Sequence, residues 1–148
     1  MLFRSKGAES ATYSYLANSP LVSQIAFKQN GVTRMTTSKT YDFLNRLTDI
    51  RSVNASGSVL TSSGYTYNDA NQRTSYVKED GSYWIYTYDA LGQLTSAKRY
   101  WVDGTPVAGQ QYEYGYDDIG NRTGTKAGGD ANGQNLRSAT YEIGRAHV

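Results

Sequence analysis

Four octapeptides in this chain share one pattern, and their recurrence constrains the fold more than any other feature. They are YDFLNRLT from Tyr41, YNDANQRT from Tyr67, YDALGQLT from Tyr88 and YDDIGNRT from Tyr116. Each reads Tyr, Asp or Asn, two variable positions, Gly or Asn, one polar position, Leu or Arg, then Thr. The leading tyrosines lie 26, 21 and 28 residues apart, a spacing that belongs to stacked supersecondary units. Asp or Asn at the first position of a type I turn can accept hydrogen bonds from backbone N–H groups ahead of it. Gly or Asn three residues later tolerates the left-handed conformation that closes such a turn with a bulge. Asp42–Asn45, Asn68–Asn71, Asp89–Gly92 and Asp117–Gly120 are therefore expected as hairpin tips. Tyr41, Tyr67, Tyr88 and Tyr116 should each end one strand, and the Leu/Arg-Thr pair should begin the next.

A second set of turn signals alternates with the first: Asn30-Gly31, Ser56-Gly57, Asp80-Gly81 and Asp103-Gly104. Each repeat then comprises two antiparallel strands with a turn at each end, and the chain becomes a continuous meander of about ten strands. Side chains alternate accordingly. In SYWIYTYD, Trp84, Tyr86 and Tyr88 face one way while Tyr83, Ile85 and Thr87 face the other. Tyr112, Tyr114 and Tyr116 share a face, as do Val59, Thr61, Ser63, Tyr65 and Tyr67. Tyr supplies 14 residues and Phe plus Trp only 5, which suits a sheet with a wet face better than a helical bundle. Apolar residues at helical spacing are not sustained anywhere.

The octets resemble the YD repeat of bacterial Rhs proteins, toxin-complex shell proteins and animal teneurins. The resemblance covers residues 40–125, and LVSQIAFKQNGVTRMTTSKT supplies earlier strands of the same array. It implies an all-β fold, an antiparallel β-hairpin meander of YD repeats forming a curved strip of a Rhs-type β-shell. The implied function is structural: a scaffold within a large secreted or cell-surface protein whose shell encloses a C-terminal toxin. The implied partners are further YD repeats of the parent chain and an enclosed toxin domain or surface glycans. Departures are modest, with Asn45 and Asn71 for Gly and Asn68 for Asp. GGDANGQN, from Gly128 to Asn135, is expected as a flexible loop or an insertion between repeats.

The two ends stand apart. EIGRAHV can be encoded by a DNA stretch resembling a common sequencing adapter. The reverse complement of that stretch, read from a GTG start, gives MLFRS, the opening of the chain. Residues 1–5 and 142–148 are accordingly set aside as adapter-like, leaving 6–141 as a repeat array of about four to five repeats. The single His, His147, falls in that tail. Dropping Arg4, Arg145 and Glu142 takes the formal charge from +2 to +1, and the remaining Lys and Arg are scattered among acids without the basic stripe of a nucleic-acid binder.

Chemistry-bearing patterns are sparse. There is no Cys, which removes thiolate nucleophiles and cysteine metal sites. With His147 set aside, no serine has a histidine base. Glu113, Asp117 and Asp118 lie close enough in sequence to suggest a carboxylate pair, but Asp117 belongs to the turn signature and Glu113 to the opposite face. DANGQN from Asp130 begins like a calcium loop and then fails, with Asn135 where Gly is required and Tyr141 where Glu is required. The expectation is no enzyme, no metal and no cofactor. No apolar run approaches the roughly 18 residues of a membrane span. The alternative to a purely structural role is a carbohydrate-binding or adhesion scaffold at the cell surface, with Tyr83, Trp84, Tyr100 and Trp101 as a glycan platform.

Overall fold

The computed structural model describes residues 2–141, with side chains from Gly7 onward. The tail 142–148, with His147, lies outside the described residues. Twelve strands, and no helix among the described residues, make up the fold: β1 (Leu2–Lys6), β2 (Glu9–Tyr15), β3 (Val22–Gln29), β4 (Val32–Tyr41), β5 (Leu47–Asn54), β6 (Val59–Tyr67), β7 (Arg73–Lys78), β8 (Tyr83–Tyr88), β9 (Leu94–Tyr100), β10 (Pro106–Tyr116), β11 (Arg122–Gly128) and β12 (Leu136–Thr140). Their order in the sheet is their order in the chain. The fold is all-β and antiparallel. There are two strands more than the expected ten: β1 lies almost wholly within residues 1–5, set aside as adapter-like, and Leu136–Thr140 pairs fully with β11.

The chain divides into two units, Met1–Thr66 with Val77–Glu79, and Tyr67–Tyr76 with Asp80–Val148. In the first, β1 to β6 pair consecutively, for example Thr37 opposite Ser52 and Ile50 opposite Ser63. A register shift between Ser52 and Val53 leaves Val53 opposite Val59 and Leu60 as an extra residue. That bulge breaks simple alternation near the start of β6, so the expected Val59-to-Tyr67 row is interrupted there.

In the second unit the register fixes two faces. Trp84 lies opposite Arg99 and Tyr86 opposite Ala97, while Tyr112 faces Ala97 from the other side and Ala127 beyond it. The tyrosine row therefore shares a face with Trp84. The other face carries Tyr83, Ile85, Lys98, Tyr100, Glu113 and Lys126. Very little is dry. Among the described residues only Ala97 and Val107 are buried hydrophobic side chains, with Ser52, Ser82 and Gln111 as buried polar ones. Gln111 is 1% exposed, and its amide donates to the carbonyls of Arg99 and Val107. That bond holds the irregular stretch of β10 between Pro106 and Gln111 against β9.

Candidate functional site

The site is the set of corners that the octets build. At each, the residue after Tyr closes a five-residue loop on itself. Asp42 N–H donates to the Arg46 carbonyl at 3.0 Å, and Asn45 N–H donates back to the Asp42 carbonyl at 2.9 Å. The same two bonds recur at Asn68/Gln72 with Asn71, at Asp89/Gln93 with Gly92, and at Asp117/Asn121 with Gly120. Asn45, Asn71, Gly92 and Gly120 sit at φ of 62°, 61°, 84° and 89°, the left-handed region that Gly and Asn tolerate best. The strands end at Tyr41, Tyr67, Tyr88 and Tyr116, and the next begin at Leu47, Arg73, Leu94 and Arg122.

Each leading Asp closes its corner through its side chain. Asp117 Oδ1 accepts from the N–H groups of Ile119 and Asn121 at 3.1 and 2.7 Å. Asp42 and Asp89 do the same with Leu44 and Arg46, and with Leu91 and Gln93. The polar sixth position, which the sequence pattern leaves free, is tied to the leading residue in three octets. Arg46 makes an ion pair with Asp42 at 2.7 Å, Asn68 Nδ2 donates to Gln72 Oε1 at 2.7 Å, and Asn121 Nδ2 donates to Asp117 Oδ2 at 2.9 Å. These bonds favour the ionised carboxylates. The Asn121 side-chain bond holds the Asp117 carboxyl below its ordinary value, with the backbone donors adding to it and desolvation opposing. At Asp42 desolvation also opposes, and the backbone and side-chain bonds from Arg46 outweigh it.

Two further features complete the corner. The closing Thr is the bulged residue: Tyr88 lies opposite Leu94 but Thr87 lies opposite Ser96, so Thr95 is extra. Thr48 and Thr123 fall at the same place. The Thr95 hydroxyl bonds Thr87 at 2.8 Å and Thr48 bonds Thr40 at 3.1 Å. The leading tyrosine hydroxyls reach back over the sheet. Tyr88 donates to the Arg73 carbonyl at 2.8 Å and Tyr116 to the Leu94 carbonyl at 3.0 Å. In both cases the acceptor is the seventh residue of the preceding octet, so the ring spans from one corner to the next. Arg122, at that seventh position, lays its guanidinium over Tyr114 at 4.6 Å.

Three corners escaped the octet pattern. Asn54 to Ser58, Trp101 to Thr105 and Asp130 to Gln134 carry the same two backbone bonds, closed by Gly57, Gly104 and Gly133 at φ of 86°, 86° and 73°. The stretch expected as a flexible loop at Gly128–Asn135 is thus another built corner. Asp130 Oδ1 accepts from Asn132 and Gln134, and Oδ2 from the Asn135 side chain. Ser56-Gly57 and Asp103-Gly104 mark two of these as turns in the sequence; at Asn54 and Asp130 the signal missed was the interval itself, Asx followed by Gly three residues on. Tyr15 to Val22 is a longer variant, with Leu16 in the Asp position and Asn18 at φ 56°.

The aromatic residues considered for glycans do not form one surface. Tyr83 and Tyr100 stack on one face at 5.6 Å. Trp84 stands on the opposite face, stacked with Tyr86 at 6.4 Å and with Tyr112 at 6.1 Å. Trp101 lies at a corner in the Asp position. The carboxylates are likewise apart in role: Glu113 pairs with Lys98 at 2.7 Å and Lys126 at 3.5 Å, while Asp117 serves its corner. The Lys98 hydrogen bond, with both lysine charges, holds Glu113 below the usual carboxylate range against desolvation. Among the described residues no three His, Cys, Asp or Glu side chains gather as a metal site.

Residues 67–106 match the family model described as RHS Repeat; this span holds the octets at Tyr67 and Tyr88. The fold is similar to part of two solved Tc toxin structures. The Tc holotoxin pore of Photorhabdus luminescens (a TccC3 mutant) superposes with a TM-score of 0.57 at 16% identity, covering 89% of this chain and 8% of that one. The TcdB2-TccC3 structure without its hypervariable C-terminal region gives 0.50 at 17% identity, covering 91% and 8%. This chain thus spans under a tenth of the length of either. No curated protein matches it by sequence.

Proposed function

We propose that residues 6–141 are a stretch of wall in a larger Rhs-type β-shell, a secreted or cell-surface protein that encloses a toxin domain carried by its own C-terminal part. The observation behind this reading is the corner. Each one returns the chain beside the strand it has just left, so the sheet grows by one strand per corner and needs no other element. A chain built this way can be lengthened by repetition without redesign. The RHS match and the likeness to Tc shell structures support it. The aromatic side chains, divided between two faces and stacked on one another, give no single open platform for a sugar ring.

The test is cryo-electron microscopy of the full-length parent protein, with limited proteolysis of its C-terminal region before and after denaturation. A closed hollow wall containing this segment, with the C-terminal region cut only after denaturation, is expected. An open array with a freely cleaved C-terminal region would overturn the proposal, and selective binding on a glycan array would favour the adhesion alternative.

A further inference from the structure

Adjacent corners approach at two successive junctions, through the sixth residue of one octet and the fifth of the next, and at the first of them a hydrogen bond joins the two. The Gln72 amide is held from both sides: its Oε1 accepts from Asn68 Nδ2 within its own corner, and its Nε2 donates at 3.2 Å to the carbonyl of Gly92 in the following corner. A Cβ placed on Gly92 would stand 3.0 Å from that Nε2. One junction further on, a Cβ on Gly120 would stand 2.9 Å from Gln93 Nε2. Gln72 and Gln93 are both sixth residues of their octets, and Gly92 and Gly120 are both fifth residues of the next.

The left-handed backbone admits asparagine at this position, since Asn45 and Asn71 occupy it at φ of 62° and 61°, whereas Gly92 and Gly120 sit at 84° and 89°. At those two glycines the preceding octet's side-chain amide also stands where a side chain would begin. We propose that the sixth residue of an octet is a latch whose partner is a glycine-bearing corner of the neighbouring repeat. The amide fills the space a side chain would need and bonds the carbonyl that the turn turns outward. The row of corners is then a self-recognising surface, and a repeat carrying an amide at its sixth position selects a successor with Gly at its fifth. This rests on reading the octets as stacked repeats, but not on a closed shell.

The test is a double-mutant cycle on the full 148-residue chain, read as the urea midpoint. Gly92→Asn should lower the midpoint with Gln72 present, and adding Gln72→Ala should recover most of that loss. Gln72→Ala should recover nothing from Gly120→Asn, where Gln93 is the neighbour. A neutral Gly92→Asn, or an equal loss in both backgrounds, would overturn the latch. Where Gly92→Asn alone fails to fold, a folded double variant supports the proposal and an unfolded one counts against it. Where Gln72→Ala fails as well, the unaltered chain decides through the Gln72 side-chain amide protons: slow exchange supports the latch, and exchange at the free-amide rate overturns it. Because every arm uses this chain alone, the latch and the shell can fail separately.

Discussion

A single aspartate does three jobs at a corner such as Asp117: its backbone closes the loop, one carboxylate oxygen takes two N–H groups, and the other takes the Asn121 amide. Asn can do most of this, as Asn68 shows by accepting from Gln72 N–H and donating to its side chain. Asp117→Asn should therefore leave the thermal midpoint nearly unchanged, whereas Asp117→Ala should lower it by a few degrees, the usual size for losing such a turn bond; differential scanning fluorimetry checks both. The carboxyls of Asp42, Asp103, Asp117, Asp130 and Glu113 are all held below their ordinary values. A folded-state pKa below the unfolded one stabilises the fold above the unfolded value and loses that contribution as pH falls through the folded value. Midpoints should be flat from about pH 7 to 5 and fall below about pH 4. A midpoint that rises on acidification would contradict these bonds.

At the scale of the hairpin, strand ends are set by the octet and tied across by its tyrosine. Tyr116→Phe keeps the ring and strands the Leu94 carbonyl, and should cost about 1 kcal/mol in urea unfolding; an unchanged midpoint would mean that water satisfies the carbonyl equally well. Much of this was readable in advance. Asp or Asn followed three residues on by Gly or Asn named the four octet corners, and alternation put Trp84, Tyr86 and Tyr88 on one face. What stayed hidden had physical causes. Thr95 follows Leu94 as any strand residue would, and only the cross-strand count reveals it as a bulge. Trp101 opens a corner without an Asx side chain in the first position, so Asp103-Gly104 marked the turn but not its five-residue form. Gly128–Asn135 looked loose because Gly and Asn signal turns without showing whether the turn is ordered. The role of Gln72 depends on a corner 20 residues on, which no local pattern contains.

For the molecule as a whole, the sheet grows by neighbour contacts, and its buried hydrophobic side chains among the described residues are two, Ala97 and Val107. At about 25 cal/mol per Å² of apolar burial, so small a dry core leaves stability to strand pairing and aromatic stacking. Among the described residues strand β12 has one strand neighbour, β11, and a strand edge without a partner is a template for pairing. The purified chain is expected to self-associate as concentration rises and to unfold over a broad urea range, with a shallow slope for its length. Analytical ultracentrifugation and urea titration check this; a sharp transition from a stable monomer would count against it.

The recurring octets are equivalent corners joining sequence-adjacent antiparallel strands. Solution NMR of the chain measures that directly, through cross-strand Hα–Hα contacts and the backbone φ of the fifth octet residues. The expected result is contacts linking each strand only to the strands before and after it, with positive φ at Asn45, Asn71, Gly92 and Gly120 alike. Contacts between strands distant in sequence, or negative φ at Asn45 and Asn71, would contradict it.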